Sequence, residues 1–251
     1  MHAPAPPPRD PVWSGLDLVL MVVAGLAGVA LAAVGIGLLL GLVSAVRKTS
    51  PDPDVVAIGV AAQTLAYLFL VIFMHYLVEV RYRTAFWEGV KWKWPQGGAV
   101  LGFLMGGVTL ALGVQVAQSF LPLPKSMPIQ ELLKDPANAW LITAFGILVA
   151  PFVEEMFFRG FLYPVLARRL SLPAAVLLTA LAFTSIHGPQ LANHWAPLLL
   201  LCAVSLAFTL ARAYTGSVAV PFLMHVGYNS TLFAVLFYAT EGFRNMEKAL
   251  H

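Results

Sequence analysis

Long hydrophobic runs, separated by short polar breaks, cover most of this chain. Runs of this length match helices that cross a hydrocarbon core of roughly 30 Å. The pattern therefore predicts an all-α, polytopic bundle of transmembrane helices with seven spans. These spans are expected at residues 18–46, 55–78, 99–121, 140–166, 170–186, 197–211 and 217–238. A further break at Ala150-Pro151 or at Gly216 would give eight spans, which is the main alternative.

The same pattern divides the chain into four parts. Residues 1–15 form a Pro-rich tail that is expected to be disordered, and residues 16–138 hold three N-terminal spans with their loops. Residues 139–240 form a core of further spans, and residues 241–251 form a C-terminal tail. No loop is long enough to be a separate soluble domain.

Composition excludes the soluble classes of protein. Hydrophobic residues make up 59% of the chain and charged residues only 11%, whereas an ordinary soluble domain carries roughly 25% charged residues. A soluble enzyme, a disordered protein and a nucleic-acid binder are therefore excluded, and the lipid bilayer is the expected surrounding. The single cysteine, Cys202, leaves no disulfide framework and no thiolate metal cluster.

Positive charge predicts how the chain is oriented in the membrane. With seven spans, eight Lys and Arg residues lie on the side of the N-terminus and six on the other side. Because cytoplasmic loops carry the excess of Lys and Arg, this bias favours a cytoplasmic N-terminus. The expected location is the cell membrane, either a plasma membrane or an inner membrane.

The fourth predicted span carries three charges inside an apolar helix: Glu154, Glu155 and Arg159. Each ionisable group at this depth costs roughly 2.5–3.5 kcal/mol, so it must face the protein interior and find partners. Glu155 and Arg159 are four residues apart and can pair on one helical face. Glu154 points about 100° away. This arrangement indicates one structural carboxylate and one that is free for chemistry.

Two later spans carry further polar pairs at helical spacing. Phe183 and His187 lie four residues apart near the end of the fifth predicted span, and His225 and Asn229 lie four apart in the seventh. Taken alone, His187 fits an interfacial or hydrogen-bonded residue. His225 and Asn229 alone fit hydrogen bonding between helices, which contributes roughly 0.6 kcal/mol per contact in membranes.

The three motifs are expected to meet at one depth. Counted from the arginines that mark one membrane face, Glu154, His187 and His225 lie about 21, 27 and 20 Å along their helices. All three therefore fall nearer the opposite face, on the side of the loops at residues 122–139 and 188–196. One carboxylate, two imidazoles and an amide are expected to converge on one buried polar site.

The motifs Glu-Glu-x-x-x-Arg, Phe-x-x-x-His and His-x-x-x-Asn follow one another in this order on the fourth, fifth and seventh predicted spans. This set resembles the CAAX-protease and bacteriocin-processing family, which includes type II CAAX prenyl endopeptidases, abortive-infection proteins and myxosortases. The matching positions are Glu154, Glu155, Arg159, Phe183, His187, His225 and Asn229. The resemblance covers residues 140–238 and makes residues 139–240 the expected catalytic core.

The resemblance implies an intramembrane endopeptidase that cleaves a peptide bond near the C-terminus or the leader of a membrane-associated protein. Glu154 and His187 would activate a water molecule, while His225 and Asn229 would stabilise the oxyanion. The implied supporting residues are Glu155, Arg159 and Phe183. The expected partner is a membrane-anchored or lipidated protein substrate.

No cofactor is favoured, although a zinc site remains an alternative. Glu154, His187 and His225 have the donor types of a two-His, one-Glu zinc site. The absence of a His-Glu-x-x-His helix from the sequence favours the metal-free glutamate mechanism. Two other classes of function also stay open: a proton-coupled transporter with the two glutamates as carriers, and a non-catalytic membrane scaffold for protein maturation.

Overall fold

A computed structural model describes residues 10–47, 54–124 and 127–245 of the chain. Within these ranges the regular structure is entirely helical. Six helices are long and apolar enough to cross a membrane. The predicted polytopic helical bundle is therefore confirmed, and the protein is an integral membrane protein.

Eleven α-helices lie within the described ranges. They are α1 (Gly15–Arg47), α2 (Val55–His75), α3 (Phe86–Gly89), α4 (Ala99–Gln118), α5 (Pro128–Leu132), α6 (Pro136–Ala144), α7 (Ala150–Glu155), α8 (Tyr163–Ala167), α9 (Leu172–Ile186), α10 (Trp195–Thr215) and α11 (Ala219–Ala239). Wider π-helical turns at Tyr76–Arg81, Phe145–Val149 and Met156–Leu162 extend α2 and join α6, α7 and α8.

The prediction of seven full spans is wrong at the fifth. Helix α9 has only 15 residues, which gives a length of about 22 Å, short of a hydrocarbon core of roughly 30 Å. The apolar run includes Leu170, but the helix begins after Ser171, with Pro173 in its first turn. Hydrophobicity alone does not reveal this boundary, because Leu170 and Leu172, on either side of Ser171, are both apolar.

The alternative of an additional break at Ala150-Pro151 is also wrong. The chain remains helical over Pro136–Ala167. A π-turn ends directly before α7, and Pro151 lies in the first turn of α7. Proline lacks an N–H group, and the wider turn changes the hydrogen-bond pattern where that donor is missing. The span carrying the charged motif is therefore continuous through its proline.

Helices α4 and α11 pack with their backbones in contact. A Cβ atom on Gly107 would collide with the carbonyl oxygen of Met224, and one on Gly227 would collide with the carbonyl oxygen of Leu104. Small residues permit this approach between membrane helices. Because Gly227 lies between His225 and Asn229, α4 holds the part of α11 that carries both polar residues.

The described part of the predicted N-terminal tail is anchored to the bundle. Trp13 is buried, and its Nε1 donates to the carbonyl oxygen of Phe161 at 3.1 Å. Arg168 donates to the carbonyl oxygen of Pro11 at 2.7 Å. The remainder of that tail, residues 1–9, lies outside the described residues, as do the last residues of the C-terminal tail. The four-part division of the chain stays a prediction.

Candidate active site

The site contains a fully buried ion pair between Glu155 and Arg159. Nη1 of Arg159 lies 2.9 Å from Oε1 of Glu155, and neither side chain is exposed. The guanidinium also donates from Nη2 to the hydroxyl of Ser205 at 2.7 Å and from Nε to the hydroxyl of Thr209 at 3.2 Å. These bonds tie the π-turn after α7 to α10, so the charge has partners on two elements.

Glu155 also orients an imidazole on a third element. Nδ1 of His225, on α11, lies 2.9 Å from Oε1 of Glu155. Because the carboxylate already paired with Arg159 acts as the acceptor, Nδ1 carries the hydrogen, and Nε2 is left to face the other side. Glu155 thus does more than hold its own span in register, which was the expected role.

Phe183 lies between this cluster and the second imidazole. Its ring centroid is 4.7 Å from the guanidinium carbon of Arg159 and 4.6 Å from the ring of His187. Nδ1 of His187 lies 2.8 Å from the carbonyl oxygen of Phe183. A carbonyl oxygen only accepts, so Nδ1 carries the hydrogen and the neutral ring leaves Nε2 unprotonated.

Glu154 lies between the two Nε2 atoms. Its Oε1 is 3.9 Å from Nε2 of His187, and its Oε2 is 3.9 Å from Nε2 of His225. Both distances exceed those of direct hydrogen bonds and suit polar groups that act on a molecule between them. The structure therefore brings the three residues of the predicted site together around one point.

Asn229 lies one turn beyond His225 and lines the same cavity. Its Nδ2 donates to the carbonyl oxygen of Gly146 at 2.6 Å. Gly146 belongs to the π-turn before α7. An amide nitrogen has two hydrogens, so this bond leaves one donor available. The predicted oxyanion residue is thus held in place by the span that carries Glu154.

A cavity of about 570 Å³ surrounds these groups. Glu154, His187 and His225 lie in its wall together with many apolar side chains. The wall also includes the start of α2 at Val55 and the end of α11 at Leu236. Both helix ends belong to the face opposite the start of α1. The cavity therefore reaches the face on which the predicted depths place the site.

Four polar residues near the site were missed by the sequence reasoning. Tyr67 donates to Oε1 of Glu154 at 3.4 Å, and Gln63 donates to the hydroxyl of Tyr67 at 3.1 Å. Ser205 and Thr209 accept hydrogen bonds from the buried guanidinium. Each pair consists of polar residues four apart in an apolar run, and this spacing is the signal that could have found them.

The metal-free mechanism and the zinc alternative both stay predictions. Within the described ranges, no group of three His, Cys, Asp or Glu side chains is placed to hold a metal ion. The alternative rests on the donor types of Glu154, His187 and His225, which are those that zinc prefers.

Residues 136–231 match the family model of Rce1-like type II CAAX prenyl endopeptidases. The family resemblance is confirmed over these residues. The Rce1-like match contains all seven motif positions, and it supports a CAAX-type intramembrane protease over a transporter or a scaffold. Helices α1, α2 and α4 lie outside it. No curated protein and no solved structure matches the chain in these comparisons.

Proposed function

We propose that this protein is an intramembrane endopeptidase that hydrolyses a peptide bond of a membrane-anchored or lipidated protein. The observation that carries the proposal is the position of Glu154. Its two carboxylate oxygens each lie 3.9 Å from the Nε2 atom of a different imidazole, in the wall of a cavity within the helical bundle. Together with the Rce1-like match, this favours hydrolysis over transport.

Water activation is assigned to Glu154 and His187. A water molecule between them donates one hydrogen to the carboxylate and can donate the other to Nε2 of His187, which the bond from Nδ1 to Phe183 leaves unprotonated. Its oxygen attacks the scissile carbonyl carbon while Glu154 takes up the proton. Glu154 then delivers this proton to the leaving amine as the carbon–nitrogen bond breaks.

Oxyanion stabilisation is assigned to His225 and Asn229. Nε2 of His225 donates to the oxyanion when both ring nitrogens carry hydrogen, and Glu155 is the acceptor that holds Nδ1. The free hydrogen of the Asn229 amide is the second donor. Donors in a site with little water stabilise the developing negative charge more strongly than they would in bulk water.

The first experiment tests Glu154 as the base. Glu154→Gln keeps the shape of the side chain but removes its ability to take up a proton, so cleavage should fall about 10²–10⁴-fold. Activity would be measured on purified protein in detergent with a pool of fluorogenic peptides, prenylated and unprenylated. Glu88→Gln, at an exposed position on α3, is the matched control. Full activity in Glu154→Gln would refute the proposed function.

Metal removal separates the two hydrolytic mechanisms. Strong chelation followed by desalting should leave cleavage intact if Glu154 is the base without a bound ion. Loss of activity on chelation, its recovery on adding zinc, and one zinc per active protein would replace the glutamate mechanism with the zinc alternative.

We further propose that the cavity opens on the extracytoplasmic side of a cell membrane. It reaches the face opposite the start of α1, and the charge bias places the N-terminus in the cytoplasm. Access from this side suits an exported substrate, whereas a prenylated tail presented in the cytosol would need the opposite orientation.

Cysteine labelling tests this orientation. In a Cys202→Ser background, Gln190→Cys lies beside the cavity and Glu88→Cys lies near the opposite face. Asn193, in the same loop, is unsuitable for this substitution because its φ is 52°, which cysteine adopts poorly. An impermeant thiol reagent on intact cells should label only Gln190→Cys. Labelling of only Glu88→Cys would place the cavity on the cytoplasmic side.

A further inference from the structure

Helix α2 contributes a polar pair to the site from outside the family-matched residues. Tyr67 and Gln63 lie four residues apart in a span that is otherwise almost entirely apolar. The Tyr67 ring stacks on Phe145, with centroids 5.7 Å apart and an interplanar angle of 19°. Phe145 belongs to the π-turn that precedes α7. The ring contact therefore fixes the tyrosine against the span that carries Glu154.

The hydrogen bonds of this pair have a defined direction. Nε2 of Gln63 can only donate, so the hydroxyl oxygen of Tyr67 is its acceptor at 3.1 Å. The hydroxyl hydrogen is then left to donate elsewhere. Oε1 of Glu154 lies 3.4 Å from the hydroxyl oxygen and is the acceptor. A relay of donors thus runs from Gln63 through Tyr67 to Glu154.

This relay supplies a hydrogen-bond donor to the Glu154 carboxylate, which the rest of the site does not. Among the residues that the structure describes, Tyr67 is the only hydrogen-bond donor to Glu154. The two imidazole Nε2 atoms, at 3.9 Å, are too far away for direct bonds. A carboxylate without a donor turns about its terminal torsion, whereas the proposed reaction needs the Glu154 carboxylate to face the water beside His187.

We infer that Tyr67 is a positioning residue for Glu154 and that Gln63 orients the tyrosine hydroxyl. This inference rests on the proposed function, because it assigns Tyr67 a role in aiming the base. The hydroxyl bonds to Oε1, the oxygen near His187, which leaves Oε2 near His225. The N-terminal spans would thereby complete a site whose motif residues all lie in the family-matched part of the chain.

The test compares Tyr67→Phe with the wild-type protein. This change keeps the ring on Phe145 and removes only the donor. The single-turnover cleavage rate for the best peptide of the fluorogenic pool should fall about 10- to 100-fold. The peptide concentration at half-maximal rate and the melting temperature in detergent should stay unchanged. Tyr76→Phe, at an exposed tyrosine of the same span, is the matched control and should behave as wild type.

A double variant tests the direction of the relay. Gln63→Leu should slow cleavage less than Tyr67→Phe, and the double variant should be no slower than Tyr67→Phe alone, because Gln63 acts through the hydroxyl. Independent, multiplying losses would show that Gln63 acts on the substrate instead and would overturn its assigned role.

Two outcomes would overturn the role of Tyr67. One is a wild-type cleavage rate in Tyr67→Phe, and the other is a rate loss accompanied by an equivalent fall in melting temperature. Either result, combined with inactivity of Glu154→Gln, would remove the positioning role and leave the proposed function standing. Cleavage by Glu154→Gln at the wild-type rate would instead remove the proposed function itself.

Discussion

Two consecutive glutamates, Glu154 and Glu155, occupy opposite kinds of environment. Glu155 is fully buried, and its Oε1 is 2.9 Å from both the guanidinium of Arg159 and Nδ1 of His225. The side chain of Glu154 is 12% exposed and lines the cavity. Its one hydrogen bond, from Tyr67, is long at 3.4 Å. The two glutamates are neighbours in the sequence, but their carboxylates differ strongly in the number and length of their hydrogen bonds and ion pairs.

The rotation of an α-helix explains the difference. Successive residues point about 100° apart, so one carboxylate faces the cluster around Arg159 and the other faces the cavity. A charge held by several short bonds fixes geometry but has little freedom to exchange a proton. A charge with few partners is costly inside a membrane, and such groups are retained at functional sites. The comparison separates a region that holds the site from a region that is proposed to react.

The largest expected effect on stability is that of Glu155→Ala. Removing this carboxylate leaves the Arg159 guanidinium buried without its ion-pair partner, which costs about 3–5 kcal/mol. It also removes the acceptor of His225 Nδ1. We expect a large fall in melting temperature in detergent and poor expression.

Glu154→Ala is the matched comparison for that variant. It shortens the adjacent residue to the same side chain but breaks only the long bond to Tyr67, so the melting temperature should change little while cleavage is lost. If Glu155→Ala were as stable as the wild-type protein and inactive, Glu155 would belong to the reacting region and the comparison would fail.

Much of the fold could be predicted because the bilayer imposes a length on apolar helices. The hydrophobic runs corresponding to α1, α2 and α4 indicate three spans whose starts agree with the structure to within a few residues. Helix α9 was predicted at residues 170–186 and lies at Leu172–Ile186, but its 15 residues are too few for a full span. Counting spans from hydrophobicity thus fails where an apolar run forms a helix that is too short to cross the membrane.

Two parts of the candidate site could be predicted: the pairing of residues within one helix, and the convergence of Glu154, His187 and His225 that the depths of their motifs indicate. The spacing of four residues predicts that Glu155 pairs with Arg159, and Oε1 of Glu155 lies 2.9 Å from Nη1 of Arg159. The contacts of Tyr67 with Glu154 and of Asn229 with Gly146 depend on how separate helices rotate against each other. Hydrophobic periodicity does not encode these rotations. The chemical roles of the site residues stay predictions until variants are measured.

A smaller effect is expected when a neutral partner of the buried guanidinium is removed. Thr209→Val keeps the shape of the side chain but leaves Nε of Arg159 without its acceptor, which costs about 1–3 kcal/mol. Thr179→Val is the control, because that buried hydroxyl bonds only to the carbonyl oxygen of Ala175 in its own helix. Equal melting temperatures for the two variants would show that Thr209 contributes nothing through Arg159.

Phe183 contacts both regions, and its replacement is expected to have the smallest effect on stability. Phe183→Leu removes the ring from Arg159 and from His187 while it keeps an apolar side chain, so the free energy of unfolding should fall by about 1–2 kcal/mol. Cleavage should also slow, since the ring of His187 loses its support. Phe161→Leu, at a buried ring that packs against Trp13 away from the site, should lower stability without slowing cleavage by the folded protein. If both variants lowered the melting temperature equally and neither slowed cleavage, Phe183 would belong to the holding region alone.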